Sequence, residues 1–255
     1  MTNETIALMH RHRSIRTFAP DPITRPTIET IVTAGQRAAT SSNLQLYSAV
    51  VVMDAAKRAH LAELCGDQEQ IRQAPVFIAW CADRSRLERA CTQRGYTQNS
   101  DYVEALLVAA VDVGLVMQNA TLAAESLGLG CCYIGAVRNN PQAVIELLEL
   151  PPLVFPISGM TLGKPADDPM IRPRLATQAI LHWEHYDASG EEPLLEAYDR
   201  AMSQTGIYAG RQVEVPGKPG EVEDYGWREH SARRVAHPRR VAMRDVLTHQ
   251  GFGLQ

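Results

Sequence analysis

The 255 residues are 45% apolar and 21% charged, enough to fill a core and keep it solvated, and a net charge of −4 argues against wholesale nucleic-acid binding. The balance is uneven: from Tyr225 to Gln255 six arginines (228, 233, 234, 239, 240 and 244) stand against Glu229 and Asp245, giving +4 there and −8 in the rest, an asymmetry that marks surfaces for anions. No uncharged apolar run reaches the roughly 18 residues that span a bilayer, and the opening MTNETIALMHRHR has no apolar signal core, so a cytoplasmic protein without membrane contact is expected.

Taken in chain order, Thr24 reads as an N-cap and Pro26 as a first-turn proline. Residues 24–38 are therefore predicted helical, with Ile28, Ile31, Val32 and Gly35 on one face. SAVVVM (48–53) and APVFIAWC (74–81) read as buried strands, with a helix over DAAKRAHLAELC between them. The strongest helical pattern runs over 101–127. Asp101 and Glu104 have capping-box spacing, and Gly128 ends the run. Val103, Leu106, Leu107, Val111, Leu115 and Met117 cover more than one face, so this helix belongs at the centre or at a subunit interface. GCCYIG (130–135) then predicts a strand, NNPQAVIELLEL a helix and VFPISGMTLG a strand. Residues 179–186 read as a further strand and 193–204 as a helix. Residues 209–226, with two prolines and four glycines, read as a loop. This order predicts a layered α+β fold, not a doubly wound one.

The five cysteines (65, 81, 91, 131 and 132) show no zinc spacing. They read as buried reduced thiols, with a strained vicinal pair at Cys131-Cys132 as the alternative. No GxSxG, P-loop, HExxH or Rossmann GxGxxG occurs; GLGCCYIG has the wrong spacing and follows a helix. What stands out is His12-Arg13-Ser14-Ile15-Arg16, with cationic and hydroxyl donors packed into five residues. Thr40-Ser41-Ser42-Asn43 and Arg172-Pro173-Arg174 complement it. Singly, each reads as solvated surface; together they suit a phosphate pocket with bidentate arginines.

HRSIR near the N-terminus, AAESLGLG followed by YIG and RNN (123–140), and PRL at 173 resemble the oxygen-insensitive nitroreductases. Within these the likeness is to the NADPH-preferring branch that includes the bacterial FMN reductase serving luciferase. The blocks agree in order and spacing from about residue 4 to 186. The resemblance implies one nitroreductase-like domain over 1–255, three-layered with a mostly antiparallel central sheet. It also implies a homodimer with FMN at the interface; the charge asymmetry further suggests residues 205–255 as a C-terminal excursion wrapping the partner, whose acidic body its arginines would meet. It places His12, Arg13, Ser14 and Arg16 on the phosphate and pyrimidine edge, joined by Thr40, Ser41, Ser42 and Asn43. Gln68 lies near the flavin, Tyr133, Ile134, Gly135 and Ala136 run along N5, and Arg172 and Arg174 complete the cationic end. No metal is implied. Fixed cations near N1 favour the anionic two-electron-reduced flavin, and a backbone N–H at N5 needs no titrating side chain. No catalytic acid or base is then required.

Three departures from the family pattern stand out. Ala136 replaces a second glycine, Cys131 stands where glycine is frequent, and the relatives' Tyr-Tyr-x-x-Arg-Thr element is here Tyr208-Ala209-Gly210-Arg211 followed by an insertion-like stretch. Arg211, with Arg138 as second candidate, is expected to select NADPH, NADH remaining open. The expected activity is two-electron ping-pong reduction of nitroaromatics, quinones or free flavin. Its alternative is a specialised flavoenzyme of the same fold (dehalogenase, dehydrogenase or flavin-modifying) with poor nitroreductase turnover. A polyanion-binding module acting through the tail arginines is the reading from another class. Those arginines lack interleaved aromatics, so nucleic acid is not the expected partner.

Overall fold

The computed structural model describes residues 3–99 and 101–255. Its elements are α1 (Glu4–His10), α2 (Arg25–Gly35), β1 (Tyr47–Val52), α3 (Ala55–Leu64), α4 (Glu69–Gln73), β2 (Val76–Asp83), α5 (Ser85–Arg94), α6 (Val103–Ser126), β3 (Gly130–Ile134), α7 (Pro141–Leu147), β4 (Val154–Gly163), α8 (Glu191–Gln204), β5 (Gln212–Glu214), β6 (Val222–Asp224), α9 (Trp227–Ala236) and α10 (Met243–His249). They fall into two compact units. One holds the residues up to Pro169 together with Arg240–Gln255, and the other holds Met170–Arg239.

In the first unit β1, β2, β4 and β3 form, in that order, a wholly antiparallel sheet. β2 is buried along its entire length, which is why it reads as a continuous apolar run. Val76, Ile78 and Trp80 pack with Ile28 and Ile31 of α2 and Val113 and Val116 of α6. Phe77, Ala79 and Cys81 pack on the opposite side with Leu61 of α3, Val144 of α7 and Leu247 of α10. The sheet is thus the middle of three layers, as expected. Local caps set the helix starts. The Thr24 hydroxyl accepts from the Thr27 N–H (3.3 Å), the Asp54 carboxylate from the Lys57 N–H (2.8 Å) and the Asn140 side-chain Oδ1 from the Ala143 N–H (3.3 Å).

The start of α6 departs from its expectation. Neither Asp101 nor Glu104 caps it; Tyr102 is the N-cap residue and offers no side-chain bond. The C-terminal backbone does this work instead, the Val103 N–H donating to the Gln255 carbonyl (3.2 Å) and the Gln255 N–H to that of Asp101 (2.8 Å). Phe252 fixes the end of the chain in the core, edge-on to Phe155 at 6.4 Å. Along α6, Val113, Val116, Ala120 and Ala124 face inward, while Val103, Leu107, Val111 and Leu115 form an exposed stripe at every fourth residue. By length and a mean hydropathy of 1.6, α6 has the composition of a membrane span; its inner face is committed to the core.

The second unit corrects two further expectations. Residues 179–186 are not a strand: a short 3₁₀ turn at Thr177–Ala179 leads into irregular chain with Ile180, Leu181, Trp183 and Tyr186 exposed. The unit's two strands pair with each other and offer that segment no partner. Residues 209–226 are not all loop, because β5 and β6 form a hairpin in the register Gln212–Asp224 to Glu214–Val222. The prolines that suggested a loop, Pro216 and Pro219, lie in the connection between the strands. α9 then starts under Asp199 of α8, whose carboxylate accepts from the backbone N–H groups of Trp227 and Arg228. Trp227 meets Tyr198 edge-on at 5.0 Å.

Candidate functional site

Residues 12–16 run along the outer edge of β3. The Ile15 N–H donates to the Cys131 carbonyl (2.9 Å), and further on the Ala19 N–H donates to that of Lys164 (2.9 Å). Ile15 is buried, and it fits because its neighbour is Gly130, where any Cβ would overlap the Ile15 side chain. With Ile15 turned inward, the flanking donors are left at the surface. His12 Nδ1 lies 2.6 Å from Glu125 Oε1 at the end of α6, and Arg13 pairs with Asp168. Ser14 and Arg16 make no side-chain bond within the described residues.

A buried acid holds the second cluster. Asp112, 1% exposed in the middle of α6, accepts from the Thr40 hydroxyl (2.7 Å), the Ser41 N–H (3.1 Å) and the Leu46 N–H (3.1 Å). Three donors offset the cost of burying its charge. The loop it grips is strained: Ser42, Asn43 and Gln45 have φ of 49°, 56° and 53°, a region that side-chain-bearing residues occupy uncommonly. Ser41, Ser42 and Asn43 are all exposed. Asp112 and Glu125, which anchor the two clusters, are thirteen residues apart on α6, about 20 Å along its axis. One chain therefore presents the clusters as separate halves.

The third group gathers where β3 ends. Ile134 is buried, and a 3₁₀ turn, Gly135–Arg138, follows. A Cβ at Gly135 would sit 3.3 Å from an Arg138 guanidinium nitrogen and 3.9 Å from one of Arg240, so two cations border the bare backbone here and a side chain would crowd them. Arg138 donates to the Ile157 carbonyl; burial, then the charge of Arg240, pull its pKa below the ordinary value. Arg240 Nε donates to Asn139 Oδ1 (3.1 Å). Ala136 packs against the core below this turn. Gln68 precedes α4 with its amide engaged, donating to the Cys65 carbonyl (2.7 Å) and accepting from Gln70 (2.6 Å). Tyr133 hydrogen-bonds Thr121 (2.6 Å), and burial pushes its phenol up to about 12. Cys131 and Cys132 enter opposite sides of the sheet, unlike a vicinal bridge. Burial pushes the Cys131 thiol to about 12 as well, so it is no nucleophile.

Arg172, Arg174 and Arg211 belong to the second unit. Arg174 donates to the carbonyls of Arg172 and Pro173 (both 3.3 Å). Arg211 lies 6.0 Å from the Tyr225 ring centroid, which Arg233 also approaches, at 5.7 Å. Arg172 bears electrostatically on Tyr208, whose pKa burial raises and Arg172 lowers. The sequence reading missed Asp112, Glu125 and Arg240. Asp112 had a signal, a lone acid inside an apolar helical run; Glu125 lay within AAESLGLG; Arg240 was counted only among the tail charges.

Comparison with known proteins matches residues 9–164 to the Nitroreductase family and residues 172–255 to the Nitroreductase family, C-terminal domain. The chain is 39% identical over 259 residues to an FMN reductase [NAD(P)H] of Bacillus subtilis, covering 99% of each. It is 36% identical over 248 residues to an oxygen-insensitive NADPH nitroreductase of Salmonella typhimurium, covering 97% of this chain and 98% of that one. The solved NADPH:FMN oxidoreductase of Vibrio harveyi, complexed with NAD+, superposes with a TM-score of 0.87 at 33% identity, over 99% of this chain and all of that one.

Proposed function

The chain belongs to the nitroreductase family, and from that premise we propose that it is an FMN-dependent NADPH oxidoreductase, working as a homodimer on nitroaromatics, quinones or free flavin. The observation that carries the cofactor assignment is the donor set. Arg16 and Ser14 have no partner within the described residues, and the Gly135 backbone, without a side chain, is bordered by the guanidiniums of Arg138 and Arg240. A phosphate-bearing flavin fits both features. Bound FMN supplies a two-electron carrier that takes hydride from NADPH and passes it to the oxidant.

The chain's own residues bind and orient it. His12, Ser14 and Arg16 hold the phosphate end, while Arg13 is shared with Asp168. Thr40, Ser41, Ser42 and Asn43 reach it from the second copy, because their anchor lies about 20 Å along α6 from that of His12. The exposed stripe on α6 is the surface along which two copies meet. Gln68, Tyr133, Ile134, Gly135 and Ala136 line the ring, Arg172 and Arg174 neutralise charge, and Arg211 receives the phosphate of NADPH, Arg138 being the second candidate. Unbridged Cys65, Cys81, Cys91 and Cys131 fit a reducing cytoplasm.

Steady-state turnover of NADPH with nitrofurazone tests this reading. Parallel double-reciprocal lines, for a protein that elutes as a dimer, are expected. Bound FMN without nitrofurazone or quinone turnover would instead indicate the specialised alternative.

A further inference from the structure

Glu125, which anchors His12, sits in the AAESLGLG stretch that joins α6 to β3. Its position is an expensive one. It lies in the last turn of α6, where the helix dipole disfavours an anion. Its side chain is 12% exposed, and its Oε2 has no hydrogen-bond partner among the described residues. Arg11 and Arg13 line the same recess of about 190 Å³, yet Arg13 pairs with Asp168. The group that answers Glu125 is His12, with Nδ1 at 2.6 Å from Oε1. A carboxylate accepts, so Nδ1 carries the proton and Nε2 is the nitrogen left for a ligand. The same division of labour, a carboxylate on one ring nitrogen and a ligand on the other, orients histidines in metal sites.

We propose that Glu125 is the positioning residue for His12: its carboxylate fixes the ring's orientation and Nδ1–H form, so that Nε2 meets the anionic end of the flavin. This rests on the reading that residues 12–16 hold FMN. The experiment is a mutant cycle on the dissociation constant of FMN, followed by flavin fluorescence as the holoenzyme is diluted. His12→Ala and Glu125→Ala are each expected to weaken FMN binding about 10- to 100-fold, as loss of a charge-assisted bond does. The double variant is expected to be no weaker than His12→Ala, because Glu125 acts through that ring. Glu125→Gln, which still accepts from Nδ1–H, is expected to stay within about threefold. Unchanged FMN binding in His12→Ala would overturn the reading of residues 12–16 itself. Full additivity, or a glutamine variant as weak as the alanine one, overturns the positioning role alone. Nitrogen NMR of the unmutated holoenzyme decides the case if a variant fails to fold. A proton on His12 Nδ1 is expected, and a bare Nδ1 overturns the proposal.

Discussion

The two compact units place their candidate residues by different means. In the first, residues 12–16 and 40–43 are held by buried partners: Ile15 against Gly130, and Thr40 and Ser41 on Asp112. In the second, the candidate Arg211 projects from an exposed position beside Tyr225, and its neighbours Arg228 and Arg233 are tied to Asp199 and Glu229. Anchored donors suit a cofactor that must stay in one orientation. Surface arginines suit a coenzyme that binds and leaves every turnover.

The contrast is most exposed at Asp112. Asp112→Ala strips three donors of their acceptor and is expected to cost about 3 kcal/mol. Denaturant unfolding would reveal it, with loss of FMN from the surviving protein; full stability would mean the 40–46 loop does not depend on the acid. Gly130→Ala comes next, at about 1–3 kcal/mol for the overlap with Ile15, accompanied by weaker FMN binding. If flavin affinity does not move, the edge of β3 does not set residues 12–16. In the second unit Arg211→Ala is expected to raise the KM for NADPH about tenfold, the weight of one phosphate contact, and to leave that for NADH alone. Equal effects on both coenzymes would remove Arg211 from the 2′-phosphate. The smallest effect belongs to Arg228→Ala. Its exposed bonds to Glu192 and Asp199 (2.9 and 3.2 Å) are worth under about 1 kcal/mol, so the unfolding midpoint is expected to shift little and less in high salt.

What the sequence made legible follows the same division. Thr24 with Pro26 and Asn140 with Pro141 act on their immediate neighbours, so those helix starts could be read directly. The unbroken apolar run of β2 likewise announced a strand. The start of α6 could not be read, because its capping groups come from Gln255, far along the chain. Residues 179–186 have strand composition, but composition does not say whether a neighbouring strand exists. Asp112 was visible as an acid in an apolar helix; that it grips residues 40–46 was not, since only the fold brings them together. The charged tail also changes meaning. Arg228 and Arg233 are tied to acids of their own unit, and Arg240 stands by Asn139 and Gly135 in the first. The +4 that first suggested an anion surface is therefore partly internal pairing.

The central claim is a flavin reduced by NADPH in this fold. The visible absorption spectrum of the purified protein, before and after anaerobic NADPH, tests it most directly. A yellow protein whose flavin band bleaches without added FMN, and returns when nitrofurazone or a quinone is admitted, is the predicted result. A colourless protein that neither binds FMN nor oxidises NADPH would contradict it.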